Sequence, residues 1–410
     1  MTEPHGAPPQ PTLRAVALPL ASMLVIQALI SMAALTVPVF AVKAAADIGI
    51  PARWVGAYVS LIYVSAMFTS VLGGLFVLRF GAVRVSQLCL CIAAAGLCLT
   101  TTAWLPLVAL GALVMGIGYG PPTPASSHVL ARHTPRRFMP LVFSVKQTGV
   151  PLGGALAGAL VPTLVLAYGW RGASLAAAAL CVATAIFLQP LRAGLDADRD
   201  RRRRLGGNPL FPLRWVLADR VLRRLAFLSF LYSAVQMCLT AYLVTYLVEA
   251  VNLDLVGAGI VFAVAQTAGV LGRILWGAVS DVLITARQML ALLGVMMAAA
   301  ALAMASFAPG WSLAAILAVS VIFGTTAIGW NGIYLAEFAR LAPPGQAGVL
   351  TGGALFITFA GVVVAPPLFG AWVAFSGSYG SGFVALAALA LAGAALMAWT
   401  GAAEDRARAP

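Results

Sequence analysis

"DADRDRRRRLGGNP", residues 196–209, is the polar centre of an otherwise apolar chain. It lies in a segment of about 191–224 that holds ten arginines and is the only long polar insertion. Of the 410 residues, 62% are hydrophobic and 9% are charged. An ordinary soluble domain carries about 25% charged residues. So little polar surface cannot cover a water-exposed globule, and the chain reads as a polytopic membrane protein.

A spanning helix needs ~20 mostly apolar residues. Twelve segments qualify, six on each side of the insertion: 15–40, 54–78, 83–103, 105–129, 141–166 and 171–190, then 225–249, 256–280, 287–308, 312–337, 347–372 and 380–400. Glycine and proline interrupt several, as in "GIGYGPPTP" (116–124) and "VVVAPPLFG" (362–370). Spanning helices tolerate such breaks where neighbours re-satisfy the freed backbone groups. The expected division is a tail (1–14), a six-helix bundle (15–190), the basic loop (191–224), a second bundle (225–400) and a tail (401–410).

The formal charge of +13 suits membrane topology better than nucleic acid, because the cations sit in short gaps between apolar runs. With the N-terminus inside, inner segments hold 20 cations and outer loops hold three, Lys43, Arg53 and Arg171. This asymmetry predicts cytoplasmic termini and an inner insertion. The insertion itself reads as an anchor on anionic lipid, with regulatory docking as the other reading. The opening "MTEPHGAPPQPT" lacks the basic region of a cleaved signal, so the first apolar segment is expected to stay as a span. Arginine and alanine bias and the lack of an N-x-S/T site fit a bacterial inner membrane.

Five cysteines, Cys89, Cys91, Cys98, Cys181 and Cys238, all lie in apolar segments. They read as small hydrophobes, with no disulfide framework, metal pair or cofactor implied. H-E-x-x-H, G-x-S-x-G and P-loop patterns are absent, which argues against an enzyme and against ATP as the energy source.

The two halves echo each other. "ARHTP" (131–135) and "ARLAP" (339–343) are offset by 208, Gln27 and Gln236 by 209, and "WVGAY" (54–58) and "LVGAG" (255–259) by 201. After the eighth segment comes "GRILWGAVSD" (272–281), with Gly277 and Asp281 four apart. The matching stretch after the second, "GGLFVLRFGAVR" (73–84), keeps Gly74 and Arg84 but has Leu78 where an aspartate is expected. The fifth segment carries "GVPLGG" (149–154), with Gly149 and Pro151. On these motifs the chain resembles the major facilitator superfamily along its whole length. The resemblance implies an all-α membrane protein: twelve transmembrane helices in two pseudo-symmetric six-helix bundles that rock around a central site. It further implies no enzymatic activity and a gating role for Gly74, Arg84, Gly149, Pro151, Gly277 and Asp281, to which Glu337 is added for its place near an inner helix end.

Ionisable groups inside a membrane are costly and read as functional. Lys146 shares a helix face with Gly149, Gly153 and Ala157, and Arg273 lies on a stripe with Gln266, Gly269, Gly277 and Asp281. None of the 12 acidic residues falls mid-span. Two interior cations without a deep carboxylate point to an anionic substrate, and an arginine can hold a carboxylate bidentately. Arg273 is also placed like the eighth-helix arginine of the superfamily's monocarboxylate carriers. The competing reading has Arg273 bracing a gate through Asp281 or Glu337. Lys146 is one of only two lysines beside 23 arginines, and burial penalises its charged form, so it is the expected carrier of a coupling proton. His128 is a further proton candidate, against a simple solvated histidine. Gln27, Tyr63, Gln236 and Asn331 complete the expected substrate-binding set, with interhelical hydrogen bonding as the alternative.

The resulting expectation is a monomeric secondary transporter that moves a small organic anion, a carboxylate, by alternating access. A proton-coupled exporter of drugs or metabolites and a transporter-like membrane sensor are the alternatives.

Overall fold

The computed structural model describes residues 13–135, 138–200, 202, 211–343 and 347–408. The tail up to residue 12 and the end of the insertion, residues 203–210, lie outside the described residues, as do the side chains of Asp281 and residues 399–408. Every backbone N–H and C=O must find a partner inside a bilayer, and a helix supplies one locally. The described residues are accordingly almost all helical, without a strand.

The helices are α1 (Leu13–Ile48), α2 (Val55–Phe80), α3 (Ala82–Thr100), α4 (Leu105–Tyr119), α5 (Pro122–His133), α6 (Met139–Gln147), α7 (Gly149–Phe187) and α8 (Arg192–Leu195). After the insertion come α9 (Phe211–Ala218), α10 (Arg220–Glu249), α11 (Leu255–Val282), α12 (Ala286–Ala305), α13 (Leu313–Ala327), α14 (Asn331–Leu341), α15 (Ala347–Ser376) and α16 (Tyr379–Arg408). By length and composition, 11 helical stretches can cross a membrane.

One of those 11, Leu141–Leu195, runs for 55 residues. As a straight helix it would be about 80 Å long, against an apolar layer of about 30 Å. Gly169 resolves the mismatch: its φ of 71° and ψ of 169° are non-helical and turn the chain back. The arms on either side of Gly169 are the fifth and sixth spans, which restores the expected twelve.

Three expected helices are discontinuous. The fourth span is α4 plus α5, broken at Gly120–Pro121, where Pro121, Pro122 and Pro124 remove backbone donors. The fifth begins as α6 and resumes at α7 past Thr148. The tenth is α13 plus α14, broken at 328–330 without a proline. Here the indole of Trp276 on α11 donates to the Thr325 carbonyl (2.8 Å) and competes for that acceptor. The breaks at 120 and 328 are offset by 208, like "ARHTP" and "ARLAP".

The first and second groups of helices meet where α7 packs on α11, α2 on α15 and α1 on α10. At the first seam a Cβ on Gly158 would lie 2.6 Å from the Gly259 carbonyl oxygen, so only glycine permits this backbone approach. The α2–α3 junction carries Arg79 and Arg84, and its side of the molecule is termed the basic face below. On the opposite face α1 runs to Ile48, beyond the expected residue 40. Asp47 accepts from Trp170 Nε1 (2.8 Å) and Arg171 Nη1 (2.9 Å), tying the end of α1 to the start of the sixth span.

Candidate functional site

A broken helix leaves carbonyls and N–H groups without intrahelical partners. The interior polar side chains gather at these breaks. Lys146, buried near the end of α6, donates from Nζ to the Thr123 carbonyl (3.1 Å) and to Ser127 Oγ (2.6 Å), both on α5. Thr123 Oγ1 donates to Gln27 Oε1 of α1 at 3.3 Å. Gln27 Nε2 is buried and has no hydrogen-bond partner.

The second break repeats this arrangement. Asn331 Nδ2 donates to Gln236 Oε1 at 2.9 Å, and Trp330 Nε1 donates to the same oxygen at 3.1 Å. Thr123 and Asn331 are offset by 208, and Gln27 and Gln236 by 209. Each break thus hydrogen-bonds the glutamine of the first helix in its own half.

Arg273 joins the two arrangements. Its Nε donates to the Ile328 carbonyl at the end of α13 (3.1 Å), and its Nη1 donates to the Gln147 carbonyl at the end of α6. Both acceptors are helix-terminal carbonyls, where a cation is favoured. Gln147 is next to Lys146 in sequence, so the guanidinium holds the end of the helix whose ammonium reaches across to α5. Tyr63 donates to Tyr119 Oη at 3.0 Å, and its ring stands 5.8 Å from that of Phe359 on α15.

Among the described side chains, no carboxylate lies within 4.0 Å of Lys146 or Arg273. Glu337, proposed above as a brace for Arg273, is buried against other cations, Arg287 (3.3 Å) and Arg340 (2.7 Å). Gly149 lets α7 close on α1, since a Cβ there would fall 2.9 Å from Gln27 Cβ, and Pro151 is buried in the first turn of α7. Gly74 and Gly277 both face open space. The residues not anticipated from sequence are Thr123, Ser127, Tyr119 and Trp330. The proline run "GPPTP" marked the break at Gly120–Pro121, beside Thr123, and that proximity was the available signal.

Residues 23–366 match the family model of the Major Facilitator Superfamily. The chain belongs to the Major Facilitator Superfamily. It is a multi-pass membrane transporter, and its substrate is a small molecule. Its fold is similar to that of a bacterial homologue of the human lysosomal transporter Spinster, solved in an inward-facing and occupied conformation. That match has 14% identity and a TM-score of 0.74, covering 97% of this chain and 98% of the other. A mutant of the nucleoside transporter NupG gives 14% identity and a TM-score of 0.74, with 93% and 99% covered. The inward-facing and unoccupied Spinster homologue gives 16% and 0.71, with 97% and 96% covered. No curated protein sequence matches the chain.

The superfamily motif of the second–third junction lacks its aspartate at Leu78, and the insertion brings carboxylates to that place. Asp196, fully buried, accepts from the backbone N–H groups of Val83 (2.8 Å) and Arg84 (3.1 Å) at the start of α3. Gly81 makes room, since a Cβ there would lie 2.3 Å from Asp196 Cγ. The Asp200 N–H donates to the Leu78 carbonyl (2.9 Å). Asp198 takes His128 Nε2 and Arg132 Nη1 of α5, each at 2.6 Å. Burial opposes ionisation of Asp198, but the hydrogen bond from His128 and the charges of His128 and Arg132 outweigh it. They hold the carboxyl below its usual range. The matching end of the second half needs no such help, because α14 carries Glu337 itself.

Proposed function

We propose that this transporter carries a small organic anion, of which a carboxylate is the simplest, by alternating access driven by a gradient. One observation supports the anion most directly. Two interior cations reach the ends of broken helices, where they hydrogen-bond carbonyls and a hydroxyl and, among the described side chains, have no carboxylate within 4.0 Å. An entering anion would complete the charge balance, and a guanidinium pairs well with it. The unpartnered amide of Gln27 adds a donor suited to an oxygen-rich ligand.

Access is proposed from the basic face, read as cytoplasmic in a bacterial inner membrane with both termini there. The opposite face is tightly closed. Tyr242 Oη donates to the carbonyls of Arg53 (2.9 Å) and Pro366 (2.8 Å), and Ser60 Oγ donates to Val363 O (2.5 Å). The two six-helix groups are proposed to rock as bodies on either side of the insertion, as a monomer, with Lys146 as the group that takes up a coupling proton.

A second reading, export of lipophilic neutral compounds, draws on the aromatic set Tyr63, Tyr119 and Phe359. A ligand panel separates the two. A ligand present at 100 times its Kd stabilises the folded form by about 2.7 kcal/mol. Mono- and dicarboxylates are expected to raise the melting temperature of the purified protein, and Arg273→Ala to remove the rise. Stabilisation by nucleosides or lipophilic compounds, with none by carboxylates, would overturn the anion reading.

A further inference from the structure

We infer that the groove between α3 and the sixth span, at the basic face, is a binding site for an anionic phospholipid. The groove has a volume of about 500 Å³ and is lined by Arg84, Gln87, Leu88, Cys91, Val182 and Ile186, with Ala185 and Gln189 closing it. Its walls are apolar side chains that no other helix covers: Leu88 is 59% exposed and Ile186 67%. Phe187, next along the chain, is 81% exposed. In a membrane transporter such a surface meets acyl chains.

The other end of the groove is polar. Gln87 Nε2 bridges the Ala185 carbonyl (2.8 Å) and Gln189 Oε1 (3.0 Å), fixing the rim. The Arg84 side chain is exposed, and among the described residues no carboxylate lies within 4.0 Å of it. The nearest acid in the chain's bonding pattern, Asp196, is engaged by the α3 N–H groups and by Arg192 at 4.0 Å. Arg192, one turn beyond Gln189, has a buried Nε without a hydrogen-bond partner. An apolar trough that ends at the exposed Arg84, which no described carboxylate neutralises, with Arg192 paired to Asp196 behind it, matches a lipid with two tails and a phosphate, and the charge selects an anionic headgroup.

Cys91 lines the groove, while Cys98, two turns further along α3, is exposed outside it, so the chain carries its own reporter and control. The protein is reconstituted in nanodiscs of phosphatidylcholine alone or with phosphatidylglycerol. Alkylation of each cysteine by a membrane-permeant maleimide is then followed by peptide mass spectrometry. Phosphatidylglycerol is expected to slow alkylation of Cys91 about fivefold, the weight of one arginine beside an anionic headgroup, and to leave Cys98 unchanged. Arg84→Gln should abolish that protection and Arg84→Lys retain it. Equal rates at Cys91 in both lipids would overturn the proposal, as would protection that survives in Arg84→Gln. Equal protection by inorganic phosphate in phosphatidylcholine would show an ion site and overturn the lipid.

Discussion

Gln27 and Lys146 sit within one hydrogen-bonded chain through Thr123, yet they carry opposite liabilities. The Gln27 amide leaves a buried donor unmet, which costs about 1–3 kcal/mol. Gln27→Met removes that donor at similar volume. It is expected to raise the melting temperature of the ligand-free protein by a few degrees while weakening ligand binding, read by thermal shift with and without ligand. Lys146→Met keeps the stem and deletes the charge. A hydrogen bond to a charged group contributes about 1.5–3 kcal/mol, so ligand affinity in a direct binding assay should fall roughly 10- to 100-fold in a protein that still purifies as a single species. Unchanged affinity would place Lys146 in packing alone. These residues were legible in the sequence because polar atoms stand out in apolar runs. Their partners were not, because Thr123, Gln147 and Ile328 contribute backbone carbonyls, which every residue type possesses.

The span pattern was readable from apolar run lengths, including the turn at Gly169. The break at 328–330 was hidden, because the indole that competes for its carbonyl comes from another helix. The role of the insertion was hidden for a different reason. Its aspartates lie among arginines and look like compensation, whereas Asp196 acts on α3 and Asp198 on α5. Gly81 has φ 96° and ψ 147°, a region that strains other residues by about 1–3 kcal/mol. Gly81→Ala should therefore lower thermal stability and displace Asp196. Asp196→Ala alone should destabilise by about 0.5–2 kcal/mol, the weight of a helix N-cap. The folded state lowers the Asp198 carboxyl, so this contact favours folding above the unfolded carboxylate value of about 3.9. Its contribution is lost as pH falls through the folded value. The melting-temperature gap between the wild-type protein and Asp198→Asn should therefore persist at about pH 6 and vanish as pH falls well below about 4.

At the scale of the molecule, closure of one face and the paired breaks at 120 and 328 fit a pseudo-symmetric machine. The two halves reach the same hydrogen-bond pattern with different residues, Thr123 in one and Asn331 in the other. Cysteines at Ser60 and Val363, bridged by a short bifunctional thiol reagent after the native cysteines are replaced, should hold the closed face shut. Transport in proteoliposomes should stop and return when the bridge is cleaved; transport through an intact bridge would refute rocking at this seam. The docking of the insertion also decides where this polypeptide can be divided. By its bonds, the stretch from Asp196 to Asp200 belongs to the helices that precede it. A version made as two co-expressed pieces should assemble when the cut falls between residues 203 and 210. A cut before Leu191 would strip the first piece of the acids that finish α3 and α5, although both cuts spare every membrane span.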